Sequence, residues 1–325
     1  MTVPTIGVTS GDPGGIGPEV VVKTLARAGR LPQAAYVIFA DARILEAEET
    51  RLGLRIQARA WPADGPAEPG VFLADVPAPE GRAALGEVTA ANGDASFRAF
   101  EAAVERARSG RLAALVTAPV SKTAWVLAGH AFRGHTEYLS RLYPGAVMAF
   151  WSERLKVALL SHHVSLREAV EGVRREALLG FLRTLHRGLA RVPGGPFRLL
   201  VAGLNPHAGE DGQMGREEID EIRPAIDLAA AEGLPVAGPF PPDTLFLQAL
   251  GKRDEIVVAL FHDQGLIPFK LAAFTTGVNV TLGLPFVRTS PDHGTALDIA
   301  GKGVADPRSM EAALRLAAGF SATGS

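Results

Sequence analysis

The sequence predicts an α/β protein whose mostly parallel sheet is covered by helices on both faces. Three observations lead there. Short apolar runs alternate with helix-length amphipathic segments along most of the chain. The strand-like runs at 155–161 and 255–261 are near-continuously apolar, as burial of both strand faces requires. The chain has 325 residues, long enough to divide its core between two lobes.

Each element follows from local signals. Residues 5–9 are apolar and β-branched and read as the first strand. They run into Ser10-Gly11-Asp12-Pro13-Gly14-Gly15-Ile16-Gly17-Pro18-Glu19. Pro18 suits a first helical turn and Glu19 its positive end, so a helix is expected to about residue 28, stopping near Gly29. A strand at 36–40 and a helix at 42–51 come next. The stretch 61–86 is rich in Pro and Gly and reads as irregular surface structure with one strand at 71–74. A long amphipathic helix at 92–109 leads to the apolar strand 113–117. Further strands are expected at 146–151, 155–161, 198–203 and 255–261. Further helices are expected at 136–143, 174–191, 217–232, 243–250 and 308–320. There is no internal repeat or low-complexity tract, and only 322–325 reads as disordered.

Composition narrows the function classes. Hydrophobic residues make up 47% and charged residues 21%, the balance of a globular enzyme. The formal net charge is -2, so no basic excess points to nucleic acid or a membrane surface. The absence of cysteine rules out disulfides and thiolate metal sites and fits a reducing compartment. No apolar run reaches the ~18 residues that span a bilayer. No basic stretch, apolar core and cleavage site open the chain. The expectation is a cytoplasmic enzyme.

Three histidines carry the strongest chemical signal. His163, His207 and His262 each close an expected strand, within Ser161-His162-His163, Asn205-Pro206-His207-Ala208-Gly209-Glu210 and His262-Asp263-Gln264-Gly265. Ligands of α/β proteins bind at the carboxyl ends of strands. Any one of these histidines alone reads as an unrelated strand-end residue. The three together read as ligands of a divalent metal with positions left open for substrate. Neutral imidazoles suit zinc or cobalt better than magnesium.

Other polar clusters add to this. The glycines at 11, 14, 15 and 17 fit neither G-x-G-x-x-G nor a Walker A loop. Their turn reads equally as an anion cradle or as tight packing. Gly134-His135-Thr136-Glu137-Tyr138 stands at a helix start, where Thr136 can cap while His135 has no structural reason. After His262 come Asp263, Gln264, Lys270, Asn279 and Arg288. Lys270 lies eight residues past His262, about two helical turns, and so faces roughly the same side. It is one of six lysines and sits in an apolar stretch. Lys270 and Arg288 with Asn279 between them suit a phosphate. The charge runs 46–51, 174–176 and 217–221 read as solvated helix faces, and Trp61, Trp125 and Trp151 as packing residues.

These motifs resemble the 4-hydroxythreonine-4-phosphate dehydrogenase (PdxA) family of vitamin B6 biosynthesis. The resemblance rests on the Gly11–Glu19 segment, Gly134-His135-Thr136-Glu137, Leu204-Asn205-Pro206-His207-Ala208-Gly209-Glu210, His262-Asp263-Gln264-Gly265 and Ser290-Pro291-Asp292-His293-Gly294-Thr295-Ala296. They stand in family order and span nearly the whole chain. The resemblance implies a two-lobed fold similar to isocitrate and isopropylmalate dehydrogenases. It implies a lobe of residues 1–125 with 285–325 and a second of 126–284. It also implies a homodimer, with the active site in the cleft between lobes and shared between subunits. The family's metal ligands fall on His163, His207 and His262, and its substrate contacts on His135, Thr136, Lys270, Asn279 and Arg288. Gly14 replaces a usual alanine. Ser161-His162-His163-Val164-Ser165-Leu166 departs from the family's Thr-His-Leu-Pro-Leu. Aligning on the last leucine puts the ligand at His163 rather than His162, and strand neighbours point to opposite faces.

The activity implied is oxidation of 4-phosphooxy-L-threonine by NAD, or NADP, with loss of carbon dioxide to give 3-amino-2-oxopropyl phosphate. A divalent metal (zinc, cobalt or magnesium) would lower the pKa of the alcohol. Asp243, Asp263 and Lys270 are the candidate bases. No residues are assigned to the nicotinamide cofactor. The nearest alternative substrate is another phosphorylated hydroxy acid such as 4-phospho-D-erythronate. Alternatives of another class are a phosphate acyltransferase-like enzyme, which needs no metal triad, and a non-catalytic metal- or nucleotide-binding protein, which needs no Lys270 and Arg288 beside the metal.

Overall fold

The computed structural model describes residues 3–62, 65, 68–78, 84–190 and 192–321. The tail at 322–325, read as disordered, lies outside the described residues. The chain divides into two compact units, Met1–Leu142 with Pro285–Ser325 and Tyr143–Leu284.

In chain order the first unit contains β1 (Thr5–Thr9), α1 (Gly17–Leu25), β2 (Ala35–Ala40), α2 (Ala42–Leu52), β3 (Arg59–Ala60), β4 (Gly70–Asp75), α3 (Ala90–Arg108), β5 (Ala114–Thr117), α4 (Lys122–Leu127) and α5 (His135–Leu142). The second holds β6 (Val147–Trp151), β7 (Lys156–Leu159), α6 (Leu166–Glu171), α7 (Arg175–Leu189), β8 (Arg198–Ala202), α8 (Arg223–Ala231), β9 (Val236–Phe240), α9 (Pro242–Ala249), β10 (Glu255–Ala259), α10 (His262–Ala273) and β11 (Val278–Leu282). The chain then returns to the first unit with β12 (Val287–Pro291) and α11 (Arg308–Ser321).

The first unit's strands lie in the order β3-β4-β2-β1-β5-β12, every pair parallel. All residues of β2 and β5 are buried, which accounts for their unbroken apolar sequence. Helix starts follow the local chemistry. Asp41 caps α2 by accepting from the Arg43 N–H at 2.8 Å, and Thr89 caps α3 through the Asn92 N–H at 3.1 Å, as N-cap residues do. The glycine-rich turn from Ser10 to Gly17 is wholly buried. A Cβ on Gly11 would lie 2.4 Å from the Pro119 carbonyl, and one on Gly15 would lie 2.5 Å from that of Thr295. Close packing therefore explains these glycines.

The first unit extends to Leu142, beyond the break near 125 that the sequence reading expected. Packing explains the difference. Trp125 of α4 and His135 of α5 pack at a tilt against Phe100 of α3, at 5.6 and 4.5 Å between ring centroids, and the Trp125 indole N–H donates to Ser96 at 2.9 Å.

The second unit's strands run β11-β6-β7-β10-β8-β9. β6 is antiparallel to both β11 and β7; β7, β10, β8 and β9 are mutually parallel. Its core gathers Phe150, Val157, Leu159, Leu200, Val257, Leu266 and Phe269. Among the described residues no helix is long and apolar enough to cross a membrane.

Candidate active site

The first unit builds one polar cluster in a dry setting. Arg288 sits on β12 opposite Leu115 of β5 and is 3% exposed. Its Nη2 and Nε donate to Thr117 Oγ1, at the end of β5, at 2.7 and 3.2 Å. Nη2 also stands 3.3 Å from His135 Nδ1. Gly134, with φ +115, turns the chain into α5 so that His135 points inward and Thr136 follows half-buried. His135 is enclosed by Phe100 and Trp125. Burial first, and the Arg288 charge second, hold its pKa well below the usual 6.5, so the ring is neutral at pH 7. Burial pushes Arg288 down to about 10, which leaves it a cation at neutral pH. A guanidinium has no acceptor, so the ring nitrogen facing it must accept. The His135 proton then resides on Nε2, which is buried without a hydrogen-bond partner. A cation beside an unused N–H donor is an arrangement that takes an anion.

The second unit gathers the histidines along one sheet edge. β7, β10 and β8 are adjacent and parallel, and the segments leaving them carry His163, His262 and His207 respectively. The His163 and His262 rings lie 6.1 Å apart between centroids. Asp263 Oδ1 is 2.7 Å from His262 Nδ1, a ring-orienting contact typical of metal-binding histidines. His162 Nδ1 accepts the His163 N–H at 2.9 Å, so the two neighbours point differently. His207 occupies a turn whose residues 207–211 all have φ between 43 and 81°, a left-handed run costly for non-glycine residues. It lines a cavity of about 330 Å³ with Asp243, Phe261 and Gln264.

Polar side chains tie these strand ends together. Ser161 Oγ donates to the Leu260 carbonyl at 2.8 Å. Gln264 accepts the Leu260 N–H and donates to the Gly203 carbonyl, both at 2.7 Å. Glu218 Oε1 accepts the Leu204 and Asn205 N–H groups at 2.8 Å each, and its Oε2 accepts the Asn205 amide at 2.9 Å.

The expected residues are therefore distributed as follows. His135 and Arg288 meet in the first unit, and His163 and His262 meet in the second. His207 shares its cavity with Asp243, an exposed residue at the start of α9. Lys270 lies exposed on α10. Asn279 lies on β11 with its Oδ1 buried and without a hydrogen-bond partner. Among the described residues no group of three His, Asp or Glu side chains is assembled closely enough to hold a metal. The donor set fits a divalent ion in type: three imidazoles leave adjacent strands, two of them close together and one held by a carboxylate.

Sequence reasoning missed Thr117 and Glu218. Nothing marks Thr117 beyond its place at the end of an apolar strand. Glu218 belongs to the run 217–221, read as a solvated face, yet it is 1% exposed. Glu48, in the run 46–51, is likewise buried at 4%. A helix face facing backbone N–H groups can bury a carboxylate, and charge alone does not reveal which face that is.

Residues 32–317 match the family described as pyridoxal phosphate biosynthetic protein PdxA. A 4-hydroxythreonine-4-phosphate dehydrogenase of Chromobacterium violaceum is 45% identical over 97% of this chain and 96% of its own. A D-threonate 4-phosphate dehydrogenase of Salmonella typhimurium is 42% identical over 98% of this chain and 99% of its own. The crystal structure of a 4-hydroxythreonine-4-phosphate dehydrogenase from Klebsiella pneumoniae superposes with a TM-score of 0.86 at 41% identity, covering 99% of this chain and 98% of that one.

Proposed function

This chain belongs to the PdxA family, and on that premise we propose that it oxidises 4-phosphooxy-L-threonine with a nicotinamide cofactor, NAD or NADP, in the route to pyridoxal phosphate. A bound nicotinamide would accept the hydride lost by the C3 alcohol, and a base its proton. The resulting 2-amino-3-oxo-4-(phosphooxy)butanoate then loses carbon dioxide to give 3-amino-2-oxopropyl phosphate. The observation that carries the reading is the buried Arg288–His135 pair, with its unused Nε2–H.

In this reading Arg288, His135 and Thr136 take the phosphate, and Lys270 and Asn279 contribute to substrate binding. Arg288 supplies charge that water does not screen, and His135 supplies a neutral donor. Holding the phosphate fixes the C3 carbon against the cofactor, which removes much of the entropic part of the barrier. His163, His207 and His262 would hold a divalent ion, zinc or cobalt in preference to magnesium. When bound, that ion supplies Lewis acidity toward the substrate's oxygens. Asp263 orients His262. Asp243 beside His207 is the candidate base, with Lys270 as the other, and His163 is the assigned ligand over His162. The working unit is a homodimer in the cytoplasm.

A second reading has direct support in the 42% identity to a D-threonate 4-phosphate dehydrogenase. Its substrate carries a hydroxyl where phosphothreonine carries an amine. Arg288 and His135 recognise the end that the two acids share.

The test is NADH production by metal-stripped protein, with and without added zinc, cobalt or magnesium. 4-Phosphooxy-L-threonine, 4-phospho-D-erythronate and D-threonate 4-phosphate are offered in parallel. Metal-dependent turnover of the first alone establishes the proposal. Turnover of only the sugar acids moves the enzyme to the second reading, and no turnover of any of them overturns both. His207→Ala is expected to abolish metal-dependent turnover with an unchanged melting temperature; near-normal activity would remove the metal assignment.

A further inference from the structure

Thr117 has no part in the family's motifs as quoted above, yet it anchors the phosphate-binding corner. Its side chain is fully buried at the end of β5. One oxygen accepts from both Nη2 and Nε of Arg288. Those two bonds define the plane of a guanidinium. With the plane fixed, Nη2 still has a hydrogen to direct at His135 Nδ1 at 3.3 Å. Neutral imidazole carries one proton, so a donor on Nδ1 places it on Nε2.

We propose that Thr117 is a positioning residue: by holding the Arg288 fork against His135 it fixes His135 as the Nε2–H tautomer, so that cation and neutral donor meet a phosphate monoester as one preformed unit. This rests on the phosphate reading above. The chemistry favours a threonine here. A carboxylate on Arg288 would hold it as firmly but would neutralise the charge the anion needs. A hydroxyl orients the cation and leaves its charge for the ligand. An aliphatic side chain of the same shape would leave buried N–H groups without their acceptor.

The tests are NMR of 15N-histidine-labelled protein and substrate binding. His135 is assigned by loss of its signals in His135→Gln. In the wild type the ring is expected to show the Nε2–H pattern. Thr117→Ser, which keeps the oxygen, is expected to retain that pattern and bind within about threefold of wild type. Thr117→Val is expected to lose the single tautomer and to raise KM about 10- to 100-fold with a smaller change in kcat. Inhibition by inorganic phosphate should weaken in parallel. An Nδ1–H ring in the wild type overturns the proposal whether or not the valine variant folds. So does a valine variant with unchanged tautomer and phosphate inhibition. Arg288→Lys separates the two levels. If it leaves phosphate inhibition unchanged, the phosphate reading falls. If it weakens inhibition while Thr117→Val does not, only the role of Thr117 falls.

Discussion

The two units present their functional side chains in opposite states. In the first, Arg288, Thr117 and His135 are all buried, and Arg288 is hydrogen-bonded to both of the others. In the second, His163 and His207 are exposed, His262 is 40% exposed, and only two of the three rings stand together. Burial makes the first cluster rigid and its charge strong, because little water screens it. The second set is arranged by strand order and by the ties through Ser161, Gln264 and Glu218. On the proposed reading, its final closure would be left to a bound ion. The first cluster is therefore preformed, and the histidine set is only partly assembled.

The largest expected effect breaks the preformed side. Arg288→Lys keeps the charge but not the fork that reaches both Thr117 and His135. We expect kcat/KM for the phosphorylated substrate to fall by ~10²–10³, mainly through KM, in steady-state assays. A loss under about threefold would mean that the buried geometry is not what binds the substrate.

The next effect sharpens the prepared side. Glu218→Gln keeps the shape but turns an amide N–H₂ toward either the backbone N–H groups of Leu204 and Asn205 or the Asn205 amide, donor against donor. The left-handed turn bearing His207 loses its anchor. Metal affinity, measured by titration of stripped protein, should drop about 10- to 100-fold, as for other outer residues of metal sites. Stability should fall by ~1–3 kcal/mol, the cost of an unmet buried group. Unchanged affinity with lowered stability would confine Glu218 to holding the fold.

What the sequence made legible divides along the same line. The strands were readable because both faces of β2, β5, β7 and β10 are covered, which leaves an unbroken apolar signature. The histidines were readable because strand ends are where α/β proteins place ligands. β11 and β12 were not: Asn279 and Arg288 interrupt their apolar runs. Thr117 and Glu218 were hidden because their work is done through partners distant in sequence, at separations of 171 and 14 residues. No local pattern encodes such contacts, whereas Asp41 and Thr89, which cap helices two or three residues away, follow from local rules.

The smallest effect is a dependence of stability on pH that the buried His135 should show. His135 has a folded-state pKa below its unfolded value, through burial first and the Arg288 charge second. Below about pH 6.5 the unfolded chain takes up a proton that the folded ring refuses. The contribution of His135 to stability is therefore fully present above that pH and is lost as pH falls, by at most about 1.4 kcal/mol per pH unit. Asp12 and Glu48, whose burial raises their pKa, act in the opposite direction, since protonation relieves a buried charge. They are common to the wild type and a His135→Gln variant, so the comparison cancels them. Denaturant unfolding of both proteins between pH 5 and 7 should give a steeper acid decline for the wild type. Parallel curves would mean that the His135 ring charges freely when folded. The neutral, directed donor that distinguishes this corner from the open histidines would then be lost.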